Sequence, residues 1–156
     1  MLTLLPKGVC SWDYRAYDGR AVIATLEFDW LGEQGQIEFG GATYRVVKHG
    51  LMSGRWSLTD GTSVIAEARK PSALFREFEI RMDADTLVLR ADSAFTRTYQ
   101  LSSAAGWSGT LQAAHPFTRR ATVDCTPSAP PLAQLFCFWL AALTWRRSAN
   151  NSAAHA

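Results

Sequence analysis

A chain of 156 residues with 47% hydrophobic and 19% charged side chains has the make-up of one globular domain with a full-sized core, and is too apolar for a disordered one. Its formal net charge of +2 is too mild for a nucleic-acid binder, which would carry a strongly basic face. Cys10, Cys125 and Cys137 have neither CxxC nor metal-ligand spacing, and an odd number of thiols without a secretory leader fits a reducing cytosol.

The opening MLTLLPKGVCSW holds too short an apolar run to read as a signal peptide. From there to Pro130 the chain reads as strand and turn, with aromatic and β-branched runs alternating with Gly, Asp and Ser clusters. Strands are expected at Val9–Ala16, Ala21–Phe28, Gln36–Phe39, Thr43–Lys48, Arg55–Leu58, Ser63–Ala68, Phe75–Arg81, Thr86–Arg90, Thr96–Leu101, Trp107–Gln112 and Arg119–Val123. A short strand near Leu2–Leu5 brings the number to about twelve. Asp18-Gly19 and Asp60-Gly61 are hairpin signals, because both residues of each pair tolerate the positive φ of a tight turn.

A weak repeat runs through these strands. Tyr14, Trp56 and Tyr99 stand 42 and 43 residues apart, and the triplets Ala24, Ala66, Gly109 and Val22, Val64, Trp107 keep the same step. Each unit reads as aromatic, turn, small residue and return, followed by a second hairpin; coincidental hairpin spacing is the alternative. The period overlaps that of propeller blades, but a propeller needs at least four. Three units of four strands instead suit a closed antiparallel barrel, which leaves no exposed sheet edge.

The stretch PPLAQLFCFWLAALTWRR (Pro130–Arg147) is the one helical signal. A Pro pair suits a first helical turn, and Arg146 and Arg147 are expected to complement the dipole at its C-terminal end. Leu132, Leu135, Phe136, Phe138, Trp139, Leu140, Leu143 and Trp145 go right round the helical wheel, the mark of a helix enclosed by protein or by lipid. About 14 apolar residues rise ~21 Å as helix, short of the ~30 Å of bilayer hydrocarbon, which favours a buried core helix over an inserted one. The expected architecture is therefore mainly β: an about twelve-stranded closed antiparallel barrel enclosing a hydrophobic C-terminal helix. It forms a single domain over residues 1–147, with helix 130–147 and a flexible polar tail over 148–156.

Enzyme signatures are scarce. Gly106-Trp107-Ser108-Gly109 lacks the spacing of a nucleophile elbow, and there is neither a phosphate-cradling Gly-rich loop nor an HExxH. His49 and His115 read as turn or surface residues, and Asp83 and Asp85 as a polar hairpin tip. No acid, base and nucleophile can be assembled, so the chain reads as a non-enzymatic binding protein without cofactor or metal.

The basic residues are more suggestive. Phe95-Thr96-Arg97 and Phe117-Thr118-Arg119-Arg120 repeat one phrase at two expected strand starts, with Phe75-Arg76 a looser copy. Alternate residues of a strand share a face, so Phe and Arg are expected to point together. If the phrases are symmetry-related, Arg97, Arg119 and Arg120 gather on one rim with Arg146 and Arg147, where they can hold phosphate by charge-assisted hydrogen bonds. The alternative is that each is a solvated edge residue that discourages aggregation.

Taken together, RWSLTDGTSVIAEARK (Arg55–Lys70), FEIRMDADTLVLR (Phe78–Arg90), FTRTYQL (Phe95–Leu101) and the terminal PPLAQLFCFWLAALTWRR resemble the tubby C-terminal-like superfamily of tubby proteins, phospholipid scramblases and LURP-one-related proteins. The likeness covers the second half of the chain; the first half shares only the strand pattern. It implies a barrel threaded by an apolar C-terminal helix and assigns no activity. The Lys/Arg pair with which tubby proteins hold phosphoinositides has no counterpart here. Val123–Pro131, which matches the acidic calcium-binding segment of scramblases, holds Asp124 alone. Small bacterial LURP-one-like members remain the nearest likeness.

The functional expectation is recognition of anionic phospholipid headgroups at a membrane surface by a cytosolic, peripheral protein. The site residues would be Arg97, Arg119 and Arg120, with Phe95 and Phe117 beside them. Two rivals stay open: a protein-interaction module that docks a partner on its aromatic surface, and a terminal helix that leaves the barrel to enter a membrane. No nucleic-acid partner is expected.

Overall fold

The computed structural model describes residues 1–115 and 118–155. Its strands are β1 (Leu2–Pro6), β2 (Tyr14–Asp18), β3 (Ala21–Phe28), β4 (Gly35–Phe39), β5 (Ala42–Lys48), β6 (Arg55–Thr59), β7 (Val64–Arg69), β8 (Glu77–Met82), β9 (Asp85–Ala91), β10 (Thr98–Ser103), β11 (Ser108–Ala113) and β12 (Ala121–Cys125), followed by the helix α1 (Pro131–Ala154). Each strand pairs antiparallel with its sequence neighbours, and β1 pairs with β12 through Leu2↔Val123 and Leu4↔Ala121, closing the barrel.

Burial alternates along the strands as a two-residue period requires. Leu2 and Leu4 in β1, Tyr14 and Ala16 in β2, and Leu87 and Leu89 in β9 are buried. Twelve strands enclose a lumen wider than wall side chains can fill, since eight strands already give one that side chains just occupy. The helix is the filling. Residues 135–145 are buried without a break, which is why the segment is apolar on every face. Its rings meet wall rings directly: Phe138 lies edge-on to Tyr14 with centroids 4.9 Å apart, and Trp139 stacks on Phe28 at 4.6 Å.

The register makes the sequence repeat physical. Ala16↔Ala24, Leu58↔Ala66 and Leu101↔Gly109 are equivalent pairs, as are Tyr14↔Leu26, Trp56↔Ala68 and Tyr99↔Leu111. The β2–β3 and β6–β7 ladders even carry a register shift at the same step, after Ala16 and after Leu58. Ile37, Ile80 and Val123, opposite Leu26, Ala68 and Leu111, continue the relation at steps of 43. The units are β2–β5, β6–β9 and β10–β12, and β1 supplies the fourth strand of the last, so the N-terminus completes the C-terminal unit.

A single helix cannot match a threefold wall, and the three buried aromatic positions have different polar surroundings. Thr144 Oγ1 donates to Ala141 O (2.7 Å), so the Tyr99 hydroxyl donates to Thr144. Trp56 Nε1 donates to Glu33 O (3.2 Å), whereas the Tyr14 hydroxyl has no hydrogen-bond partner among the described residues.

The helix differs from its expected limits. Pro130 is the N-cap residue, in extended geometry, and the helix continues past Arg147 to Ala154. Ser148 and Ser152 donate their hydroxyls to the carbonyls of Thr144 and Ser148, and Arg76 donates to Ser148 Oγ (3.3 Å). Arg146 and Arg147 are therefore within the helix rather than at its end, and the last turn holds no basic residue.

Candidate functional site

Antiparallel wiring sorts the connections onto two rims. The helix begins at one, where the hairpin connections 19–20, 40–41, 60–63, 83–84 and 104–107 are two to four residues long. Gly19, Gly40, Gly41, Gly61, Gly106 and Asp83 take the positive φ that such tight turns require. Hydrogen bonds cap these turns. Asp60 Oδ1 accepts from the Thr62 and Ser63 amides (2.8 Å each). Asp85 accepts from Ser103 Oγ, the Ala105 amide (3.0 Å) and Trp107 Nε1 (3.0 Å), and the Ser103 bond first among these holds its carboxyl below the usual range. Asp85 thus fastens the neighbouring hairpin.

The opposite rim, where the helix ends, is built from six loops of six or seven residues: 7–13, 29–34, 49–54, 70–76, 92–97 and 114–120. Five of them present bare apolar side chains. Val9 is 97% exposed, Trp30 91%, Met52 97%, Leu74 88% and Phe95 97%. Leu31, Leu51 and Phe75 stand exposed beside them. The sixth loop contains Phe117, which lies outside the described residues. Two clefts open between the loops. One of about 700 Å³ lies between Leu74–Glu77 and Arg90–Ala94; the other, about 580 Å³, is lined by Trp12, Phe28, Trp30, Arg146 and Asn150.

The same rim is basic. Its six loops contain six Lys or Arg and four Asp or Glu; Arg146 and Arg147 of the helix bring it to +4, against +2 for the whole chain. Arg97, Arg119 and Arg120 all belong to it, immediately before β10 and β12. Burial pushes the Tyr14 phenol above its ordinary value, and the charges of Arg119 and Arg97 pull against that. Arg119 also donates to Ser11 O (3.0 Å) and lies 4.3 Å over the Trp12 ring, so it is half-buried and braces loop 7–13. Arg120 is exposed.

The expectation that Phe and Arg share a strand face is corrected here. Phe95 and Arg97 lie in a loop, where no alternation operates, and Phe95 is bare while Arg97 is half-buried. Arg146 and Arg147 do not join the other arginines as open cations. Arg146 donates to the carbonyls of Asp29 (3.1 Å) and Trp30 (2.8 Å). Arg147 pairs with Glu33, which also takes Lys48, and both cations face the Trp56 ring at 5.6 and 5.7 Å. Burial pushes the Glu33 carboxyl up, but the bonds from Arg147 and Lys48 outweigh it and hold the group below its usual range. This cluster fastens the helix to the loops.

Phe95 was an expected site residue; the other bare loop tips, Val9, Trp30, Leu31, Leu51, Met52 and Leu74, were residues that sequence reasoning missed. Their signal was an apolar pair set among Gly, Ser and Pro between two strands, as in DWLGE, HGLMSG and KPSALFR. His49 Nε2 lies 2.6 Å from Ser57 Oγ; Ser57 is only 3% exposed, while His49 lines a cleft of about 480 Å³ with Arg55, Glu67 and Arg69. No group of three or more His, Cys, Asp and Glu among the described residues could hold a metal ion. No helix of the described chain is long and apolar enough to cross a membrane. The fold and rim thus define a closed twelve-stranded barrel on a central helix, with one basic, apolar-tipped rim. No family model, curated protein or solved structure matches the chain.

Proposed function

We propose that this barrel is a peripheral membrane protein that recognises anionic phospholipid headgroups through its long-loop rim. The observation that carries the reading is the gathering of Arg97, Arg119, Arg120 and Arg76 on a rim of net charge +4, while the remainder of the chain is net negative. A surface of that sign is drawn to an anionic leaflet, with about 1 kcal/mol for each basic residue near it and with attraction that fades as salt rises. Arg120 is the exposed contact residue. Arg119, held by Ser11 and Trp12, positions the loop around it. The barrel threaded by its C-terminal helix supports placing the chain with the tubby C-terminal-like proteins, and that placement is part of the proposal.

Flotation with phosphatidylserine-containing and pure phosphatidylcholine vesicles tests it. Binding should be confined to the anionic vesicles and weaken from low to physiological salt. An Arg97→Ala, Arg120→Ala variant with unchanged thermal midpoint should bind roughly tenfold or more weakly, as two lost surface charges require. Equal binding to both vesicle types, or none to either, overturns the reading.

A further inference from the structure

We infer that the loop tips are wedges that enter the interfacial layer of an anionic bilayer, one or two side chains from each of five loops, arranged around the end of the helix. This rests on the membrane-surface reading above and adds to it a hydrophobic component that headgroup recognition alone does not contain.

The distribution of bare apolar surface carries the inference. Of the eleven large hydrophobic residues exposed in the described chain, eight are on the long-loop rim, and only Met1, Val22 and Val64 lie toward the other end. Single exposed hydrophobes are ordinary on any protein, but a concentration on one face marks an interaction site. These tips do nothing for the fold: Val9, Met52 and Phe95, each 97% exposed, touch almost none of the core. Tight turns at the opposite rim make the same connections without them.

The geometry selects the partner. Leu74, Phe75 and Trp30 border the two clefts between the loops, but the eight apolar residues do not share one cleft. They stand apart on separate loops, with Lys7, Lys70, Arg76, Arg97 and Arg120 between them. A bilayer is continuous across such an arrangement and presents the two layers these residues need, anionic phosphate for the cations and apolar material just beneath. Trp is at home at that boundary because its ring is amphipathic, and Trp30 stands at a tip, 91% exposed. The helix end that projects among the loops holds Ser, Ala, Asn and His over residues 148–155 and no Lys, Arg, Asp or Glu.

The test uses the full chain and vesicles of phosphatidylcholine and phosphatidylserine containing acyl-brominated phosphatidylcholine, a contact quencher of tryptophan. Trp56, Trp107, Trp139 and Trp145 are buried and Trp12 is half-buried beneath Arg119, so quenching should come chiefly from Trp30 and fall sharply in Trp30→Ser, with Trp12 the source of what is left. A Leu51→Ser, Met52→Ser variant, its thermal midpoint unchanged, should bind about tenfold more weakly, as expected from the partial burial of two large apolar side chains. That deficit should persist at physiological salt. If the protein binds anionic vesicles but bromolipid leaves its emission unchanged and the Leu51→Ser, Met52→Ser variant binds like the parent, insertion is refuted while headgroup recognition stands. If no vesicle binds, both fail. If vesicles are ignored and the tip substitutions instead dissociate a dimer of the chain in solution, the rim is a protein interface and the inference is overturned.

Discussion

The two ends of the barrel solve one problem with different means. At the helix N-terminal end, strands are joined by two to four residues, with glycines at positive φ and Asp60 and Asp85 collecting amide, hydroxyl and indole donors. At the other end, six or seven residues join equivalent strands, and the extra length lifts apolar tips into solvent. Closing a barrel does not require this, as the first rim demonstrates. Loop length and exposed apolar surface that contribute nothing to the core are retained for something outside it, and loops on a rigid scaffold are where binding residues concentrate.

The comparison can be broken in several ways. The largest effect is expected from removing the element both rims surround. A chain ending at residue 129 should show no cooperative urea transition, because a twelve-stranded wall cannot fill its own lumen. A soluble fragment that unfolds cooperatively would contradict this. Next, Glu33→Ala strands Arg147 and Lys48 beside Trp56 and should cost about 2–3 kcal/mol in chemical denaturation, since removing one member of a partly buried ionic cluster leaves the others uncompensated. Gly109→Ala belongs to the close-packed half: the added Cβ would fall 2.2 Å from Cys125 Sγ and 2.8 Å from Asp124 O. A cost of about 1–3 kcal/mol is expected from overpacking against backbone. The tip pair Leu51→Ser, Met52→Ser should change stability by no more than about 0.5 kcal/mol, as for surface sites without tertiary contacts.

The smallest effect concerns acid. The Ser63 amide and then the Thr62 donors lower the Asp60 carboxyl to about 2. A depressed folded-state value stabilises fully above the unfolded value of 3.8 and is lost as pH falls through about 2. Urea midpoints measured at pH 4 and pH 2 should therefore drop less in Asp60→Asn than in the parent.

Legibility followed the same division. The hairpins of the tight rim were readable because Asp18-Gly19 and Asp60-Gly61 encode their turns locally, and the helix was readable because a segment apolar on all sides must be enclosed and this one is short for a bilayer. The long-loop rim was not. Val9 and Phe75 were expected to open strands that in fact begin at Tyr14 and Glu77, because an apolar loop tip has the composition of a strand end. Only tertiary structure separates the two. Thr96 and Arg119 were drawn into strands on the same grounds. The pairing of Arg147 with Glu33 spans 114 residues and depends on barrel register, which no local pattern contains. Residues 148–154 read as a tail since Ser and Asn are weak helix formers; hydroxyl bonds along the helix and Arg76 across to Ser148 extend it.

The most direct measurement is hydrogen–deuterium exchange of the full chain with and without phosphatidylserine-containing vesicles, comparing the two rims within one molecule. Membrane docking through the long-loop rim predicts slowed exchange at residues 49–54 and 92–97, with the turns at 40–41 and 60–63 unchanged. Protection confined to the tight-turn rim, or exchange unaltered everywhere, would contradict the account.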